Sequence, residues 1–356
     1  MQIGRAAGRS LIDGEEGRYM RALKSILGTP LLHQSRLIEG RRRSLAEVVT
    51  AFLVAVKTQA EAHTGMRFER VLSGRPVRFH SKDADQNAQA ERDLRECYLA
   101  AGFKDVAFLY EPEAAAHACC SLSEGGLGLI VDIGGGTSDF SVFRQSGAGI
   151  EILANHGIRL GGTDFDQQIS VAHVMPLLGQ GGQVRRTFGE GLLHVPAAIY
   201  QDLATWPKIP FLYARETERL VDDLLVHAVE PQKIGRLKTV LLDRLGHEMA
   251  FAVEGGKIAA NSEGVRSEID LGFVERGLGA QITTGSMNAA LAEFRAQLSG
   301  AMYETLMMAD VGPAQIDNVI LVGGSSLMRI VSDEVLRVCP TARVRQSEAF
   351  TAVVDG

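Results

Sequence analysis

The alternation of apolar and polar positions divides the chain into short strands and amphipathic helices. A capping-box pattern, Ser44-Leu45-Ala46-Glu47, precedes Val48, Phe52, Leu53 and Val56 at helical spacing, and Gly65 closes that element. Val71 and Leu72 read as a short strand before Ser73-Gly74-Arg75-Pro76. A second helix is predicted from about Asp83 to Ala101, stopped by Gly102. Asp105 to Tyr110 reads as a strand and Ala114 to Cys120 as a small helix. Leu129 to Phe143 holds two β-rich runs about a turn of three glycines and a threonine. Ile150 to Asn155 is a further strand, and Gly161-Gly162-Thr163-Asp164 opens a helix with anion-friendly caps.

From about Pro176 the pattern changes. Gly179 to Gly182 and the segment carrying Pro196, Trp206, Pro207 and Pro210 read as loops. Helical stretches are predicted near Glu216–Val229 and Gln232–Ala260, a strand at Ser267–Leu271, and one long helix from Met287 to Met308. Asn318 to Val322 is an apolar strand ending in Gly323-Gly324-Ser325. The first forty or so residues are irregular, and Arg41-Arg42-Arg43 reads as a solvated linker. Strands alternating with helices predict an α/β chain with a parallel sheet, in which ligands bind beyond the carboxyl ends of strands. Asp132–Gly136 and Val322–Ser325 both fall at such ends.

Composition changes this picture little. The 356 residues are 46% hydrophobic and 22% charged, with a net charge of −6. That balance is ordinary for a globular chain of two domains or one large bilobed unit and gives no support to a nucleic-acid or membrane partner. Cys97, Cys119, Cys120 and Cys339 lack metal-ligand spacing, the amino terminus has no signal-peptide pattern, and no apolar run is long enough to span a bilayer. These features imply a reduced, cytoplasmic setting.

The chemistry concentrates at Asp132-Ile133-Gly134-Gly135-Gly136-Thr137. Glycines let the backbone turn sharply and approach a bound group, and successive N–H groups make a concave anion site. Asp132, at the exit of a buried strand, would face that site. A carboxylate beside a phosphate cradle suits a magnesium-water shell. A glycine hairpin with no ligand fits the same residues.

Five segments in order carry a resemblance. They are Tyr110-Glu111-Pro112-Glu113-Ala114-Ala115-Ala116, the glycine turn, Leu160-Gly161-Gly162-Thr163-Asp164-Phe165-Asp166, Glu254-Gly255-Gly256-Lys257-Ile258-Ala259-Ala260-Asn261 and Leu321-Val322-Gly323-Gly324-Ser325-Ser326. Together they resemble the nucleotide-binding domain of the seventy-kilodalton heat-shock (DnaK-type) chaperones, within the actin and sugar-kinase ATPase superfamily. The resemblance runs from about Lys24 to Gly356 and is nearest a short branch without a peptide-binding domain. It implies an actin-like ATPase fold, α/β, with two lobes each built on a ribonuclease-H-like mixed sheet with flanking helices. On this reading 1–120 is a remnant of lobe I, 121–175 and 279–356 form the core of lobe II, and 176–278 is a mainly helical insertion. ATP or ADP and magnesium are the implied cofactors, and a co-chaperone or client protein the implied partner.

The resemblance also assigns roles. Gly134, Gly135 and Gly136 correspond to the second phosphate loop, with Thr137 adding a hydroxyl donor. Asp132 resembles the acid that orients the attacking water or the magnesium shell, and Glu111 the acid that reaches magnesium through water. Lys24, in Lys24-Ser25-Ile26-Leu27-Gly28, matches a Lys-x-x-x-Gly element whose ammonium offsets charge on the transferred phosphoryl group. Gly161 and Gly162 match the turn that approaches the phosphates. Glu254, Lys257 and Asn261 match an adenosine clamp, and Gly323, Gly324 and Ser325 the loop over adenine and ribose. Bland readings stand beside these: Glu111 as a helix-start acid, Lys24 as a solvated lysine, Glu254 and Lys257 as a surface ion pair, Asp164 and Asp166 as helix caps.

The sequence also departs from the family pattern. No Asp-x-Gly-Thr strand, the family's first phosphate loop, precedes Lys24, and Ala352-Val353-Val354-Asp355-Gly356 reads as the start of a last helix. Leu327 and Ile258 stand where the family usually has arginines, and Asn261 where it has a serine. Two functions remain open at this point: slow magnesium-dependent ATP hydrolysis coupled to lobe closure, or a nucleotide-binding pseudo-ATPase acting as a regulatory interaction module without turnover. The Glu-Pro-Glu-Ala-Ala-Ala element and the Glu254/Lys257 helix point away from a sugar or acetate kinase and from an actin-like filament.

Overall fold

A computed structural model describes residues 23–346 apart from 39–40, 78, 80–83, 120–123, 148, 187–188 and 263–265. The stretch before Lys24 that was expected to lack a phosphate loop, the start of the second helix at Asp83, Cys120, and Ala352–Gly356 lie outside the described residues, save Leu23 itself. In chain order the elements are β1 (Ser35–Ile38), β2 (Arg41–Ser44), α1 (Leu45–Thr64), β3 (Arg70–Arg75), α2 (Ala84–Ala100), β4 (Asp105–Tyr110), α3 (Glu111–Cys119), β5 (Leu127–Ile133), β6 (Ser138–Ser146), β7 (Gly149–Ile158) and α4 (Gly162–Ile169). There follow β8 (Gln183–Arg185), β9 (Leu192–His194), α5 (Ala198–Ala204), α6 (Arg215–His227), α7 (Pro231–Leu242), α8 (Gly246–Ala260), β10 (Arg266–Asp270), β11 (Gly279–Thr283), α9 (Thr284–Ala290), α10 (Ala292–Met308), β12 (Asn318–Val322), α11 (Arg329–Val338) and β13 (Arg343–Gln346).

The principal sheet has the order β13-β12-β5-β6-β7. β12 runs parallel to both β5 and β13, whereas β5, β6 and β7 are antiparallel. The sheet is therefore mixed, as the family resemblance implied, and not the parallel sheet that strand–helix alternation alone suggested. The turn between Ile133 and Ser138 is too short for a crossover, so β6 can only return antiparallel. Both faces are covered, and each strand divides its apolar residues between them by the two-residue period. Leu129, Val131 and Ile133 of β5 join Val319 and Leu321 of β12 in the large core that includes Phe165, Leu298, Met302 and Val335. Ile130, Ile320 and Val322 face the opposite way, with Ala115 of α3 and Phe143. This mixed α/β arrangement is that of the actin-like ATPase fold.

β3 and β4 form a separate parallel pair. Beside it, Leu27, Leu32, Leu45, Val49, Leu53, Ala90 and Cys97 make a second core. The predicted first helix is present with its capping box: Ser44 Oγ accepts from Glu47 N and the Glu47 carboxylate accepts from Ser44 N. Its buried face is Leu45, Val49 and Leu53; of the expected stripe Leu53 is buried and Val48 packs partly against the core, while Phe52 and Val56 are 39% and 42% exposed. Ser44→Ala is expected to lower stability by about 1 kcal/mol, measured by urea unfolding, because a free helix N–H is left without its acceptor.

Other sequence expectations are refined. The long helix over Gln232–Ala260 is two, broken where Arg244 adopts φ +56°. The Met287–Met308 helix is also two, parted at Leu291 (φ −98°, ψ 12°). Arg41-Arg42-Arg43 is strand β2, not a linker. The proline-rich stretch after Pro176 contains the short β8–β9 hairpin and α5. Among the described residues no helix is long and apolar enough to cross a membrane.

Candidate nucleotide site

The site forms where β5 and β12 end side by side. The parallel register pairs Val322 with Asp132, so the Gly134–Thr137 and Gly323–Ser325 turns leave the same edge of the sheet. Gly134 N donates to Thr137 O at 2.9 Å, closing the glycine turn. The start of α4 then packs directly against it. Gly162 N donates to Gly134 O (2.9 Å), and both Thr163 N and Thr163 Oγ1 donate to Gly135 O (2.7 Å each). Gly161 N donates to the Asp164 carboxylate at 2.8 Å, so Asp164 is a cap, as its bland reading held.

The helix-start N–H groups of Gly162 and Thr163 are thus spent on the glycine turn rather than free for an anion. The turn's own amides are the available donors. Among the described residues, the N–H groups of Gly135, Gly136 and Thr137 meet no protein acceptor, and all three residues are exposed.

The glycines hold three backbones together. A Cβ on Gly161 would lie 2.5 Å from Gly136 N and 2.6 Å from Gly135 C. Gly323 adopts φ +82°, which disfavours any side chain, and a Cβ there would lie 2.5 Å from Ile133 O. A Cβ on Gly162 would clash with the Ser325 hydroxyl, at 2.2 Å, its other neighbours (Ser325 Cβ and Gly134 O) lying at 3.4 and 3.6 Å. Gly135 and Gly136 have nothing within 4 Å of a Cβ, so the fold itself does not require glycine there.

Carboxylates gather beneath the turn. The hairpin register sets Asp139 opposite Asp132. Glu111, at the start of α3, joins them around a shallow cleft that Pro76, Ser141 and Asn155 also line. Burial first, then the charges of Glu111 and Asp139, push the Asp132 carboxyl up to about 7, against the pull of Lys24. Burial and then Glu111 raise Asp139 to about 6, opposed by Lys24 and by a hydrogen bond from the Thr137 hydroxyl. Lys24 is ion-paired with Glu111. The sequence pattern gives Asp139 no role, although hairpin pairing across a four-residue turn is enough to place it against Asp132.

On the other side of the sheet edge, Lys257 of α8 is buried and pairs with Asp166 of α4 at 2.8 Å, rather than with Glu254. Asn261 bridges two segments: its Nδ2 donates to Leu327 O (3.0 Å) and its Oδ1 accepts from Arg329 N (2.8 Å). That pair of bonds ties the end of α8 to the loop after Gly323.

The Hsp70 protein family profile matches residues 30–180. That segment of the chain resembles the Hsp70 family. Its relatives include a chaperone protein HscA homolog of Pseudoalteromonas atlantica, 30% identical over 195 residues (54% of this chain, 29% of the relative). Others are heat shock 70 kDa protein BIP3 of Oryza sativa subsp. japonica, 34% identical over 197 residues (53% and 27%), and chaperone protein DnaK of Thermosipho melanesiensis, 32% over 171 residues (47% and 27%). The chain spans less than a third of the length of these relatives. Glu111, Asp132, the Gly134–Thr137 turn, Gly161 and Gly162 fall inside the Hsp70 match, whereas Lys24, Glu254, Lys257, Asn261 and Gly323–Ser325 lie outside it.

Proposed function

We propose that the chain binds ATP or ADP at the sheet edge between the glycine turn and α8, and hydrolyses ATP slowly with magnesium, coupled to lobe closure. The observation that carries this reading is the run of three unpartnered amides at Gly135, Gly136 and Thr137 beside the Asp132 carboxylate. Such donors suit a polyphosphate. Glu254, Lys257 and Asn261, with Gly323, Gly324 and Ser325, would hold the adenosine end. On this reading 1–120 belongs to one lobe, 121–175 and 279–356 to the core of the other, and 176–278 to its helical insertion.

The donor set fits magnesium. Burial first, and then the neighbouring negative charge, raises Asp132 and Asp139, so the cluster would favour a cation. Among the described residues no three carboxylate, His or Cys groups lie close enough to chelate a bare ion. Asp132 and Glu111 would accordingly hold a hydrated ion through water. When bound with nucleotide, magnesium supplies neutralising charge to the phosphate oxygens. Asp132, titrating near neutrality, can orient a water and accept its proton. Lys24 offsets negative charge beside Glu111. Client or co-chaperone binding would read the closure of the lobes, and the buried free thiols of Cys97 and Cys339 support a cytoplasmic setting.

Isothermal titration with ATP tests the site. Asp132→Ala and Gly135→Val are each expected to weaken binding by about tenfold or more, well beyond Lys24→Ala, because they remove the central acid and obstruct the turn. The space around Gly135 means that its variant should still fold. Unchanged affinity in all three would refute the site. Steady-state phosphate release then separates the enzyme from a pseudo-ATPase, for which nucleotide would raise the thermal midpoint without turnover.

A further inference from the structure

We infer, on the role given to Lys24 above, that Asp93 of α2 is a positioning residue: it anchors the turn that carries Lys24 and so sets the Lys24 ammonium against Glu111. Lys24 sits in one turn of 3-10 helix, Leu23–Ile26. Its side chain is half-exposed, yet it forms an ion pair with Glu111, a residue distant in sequence. Four flexible carbons place an ammonium dependably only where the backbone beneath them is fixed.

That backbone is fixed through α2. Gly28 N donates to Asp93 Oδ2 at 2.8 Å. Gly28 adopts φ +73°, and a Cβ there would lie 2.5 Å from Gln86 O and 3.0 Å from Ala90 Cβ, so the chain is pressed directly on the helix. Gln86, Ala90 and Asp93 share one face of α2 by helical spacing. Leu27, beside the glycine, is buried in the core that holds Ala90 and Cys97. The Lys-x-x-x-Gly element thus has two parts: the lysine reaches the site, and the glycine lets its turn dock.

Asp93 is 1% exposed, and among the described residues no lysine or arginine pairs with it. Its other oxygen, Oδ1, accepts from Gln89 Nε2 at 2.7 Å and lies 3.4 Å from His33 Nε2. Burying a carboxylate is costly, and an apolar side chain of similar size would fill the same place at less cost. What the carboxylate adds is a charged acceptor for the Gly28 amide, which bonds α2 to the Lys24 turn.

Acylation of the intact chain by N-hydroxysuccinimidyl acetate, followed at each lysine by mass spectrometry, reads the pairing of Lys24 without nucleotide. Asp93→Ala and Glu111→Gln are each expected to raise the Lys24 rate about threefold or more, and the double variant to be no faster than the faster single. Lys238, paired with Asp222 on other helices, should be unchanged. Asp93→Asn keeps an acceptor for Gly28, because Gln89 can turn its amide round, and should stay within about twofold of the wild type. An unmoved Lys24 rate in Asp93→Ala, additive effects, or a rate in Asp93→Asn as high as in Asp93→Ala would overturn the anchor. Hydrogen exchange of the wild type decides the matter even where Asp93→Ala does not fold. The Gly28 amide should exchange about tenfold or more slower than a free amide, and full exposure would overturn the anchor. In phosphate release from ATP, Asp93→Ala should lower kcat about tenfold, as Lys24→Ala does, with KM little changed and the double variant no worse. A chain whose Lys24 depends on Asp93 but which turns over no ATP keeps the anchor and loses the hydrolytic reading. An active chain whose kcat ignores Asp93→Ala loses only the positioning role.

Discussion

Gly161→Ala is expected to cost about 3 kcal/mol of stability and to remove most of the nucleotide affinity. The backbone at Gly161 is extended (φ −154°), so alanine could adopt its conformation; the obstacle is contact. The added methyl would stand 2.5 Å from Gly136 N and 2.6 Å from Gly136 Cα. Those are backbone atoms of a turn pinned at Gly134 and Gly135 by Gly162 and Thr163, and they cannot swing aside as a side chain would. Relief requires parting the turn from α4, which breaks those same bonds. Gly323→Ala should be comparably severe, since a positive φ adds to a 2.5 Å contact with Ile133 O. Gly162→Ala should be mild, because the Ser325 hydroxyl can rotate away, and Gly135→Ala nearly silent for folding. Urea unfolding of the four variants checks the ranking. If Gly161→Ala and Gly135→Ala unfold at the same denaturant concentration, the packing role assigned to Gly161 is wrong.

That ranking shows what the sequence could and could not reveal. The order of glycine motifs was legible because each interrupts an apolar strand or opens a helix, and β5, β6, β12 and α4 stand where those signals put them. The partner of each glycine was not. Gly161 and Gly162 suggest approach to a ligand's phosphates, and in the fold they also make room for Gly136 and Ser325. Nothing local distinguishes a glycine that makes room for a ligand from one that makes room for another turn. Likewise Lys257 and Glu254 share a helix face by spacing, yet Lys257 turns to Asp166, a contact made only when α4 packs on α8. The helix breaks at Arg244 and Leu291 were missed for a related reason. Neither site carries proline or glycine at the break itself, so tertiary packing decides it over local propensity. Asn261 was read through a family serine, but its amide here bridges Leu327 and Arg329, a job that needs both a donor and an acceptor.

At about pH 8, Asp132→Asn is expected to be more stable than the wild type by on the order of 3 kcal/mol, and the gap to narrow through about pH 5 and close by about pH 3. The sign follows from the carboxyl's environment. Burial beside Glu111 and Asp139 lifts Asp132 from 3.8 to about 7 in the folded chain, so the fold holds that proton more tightly than the unfolded chain does. The associated stability is complete below the ordinary carboxylate range and is lost as pH rises through about 7. Asp139, raised to about 6, loses its share slightly earlier. Asparagine keeps the shape and stays neutral, so it escapes the loss, and titrating groups remote from Asp132 cancel in the comparison, whereas Asp139 and Glu111, coupled to it, contribute to the gap. Urea unfolding of both proteins across this range, without nucleotide or magnesium, measures the gap. A gap of constant size would mean that Asp132 titrates in its usual range and that its place under the glycine turn does not strain its charge. A gap that opens with pH would mean that the apo fold stores unfavourable charge where the proposed hydrated cation would relieve it. Adding magnesium and ADP should then restore wild-type stability at about pH 8 and leave Asp132→Asn less affected.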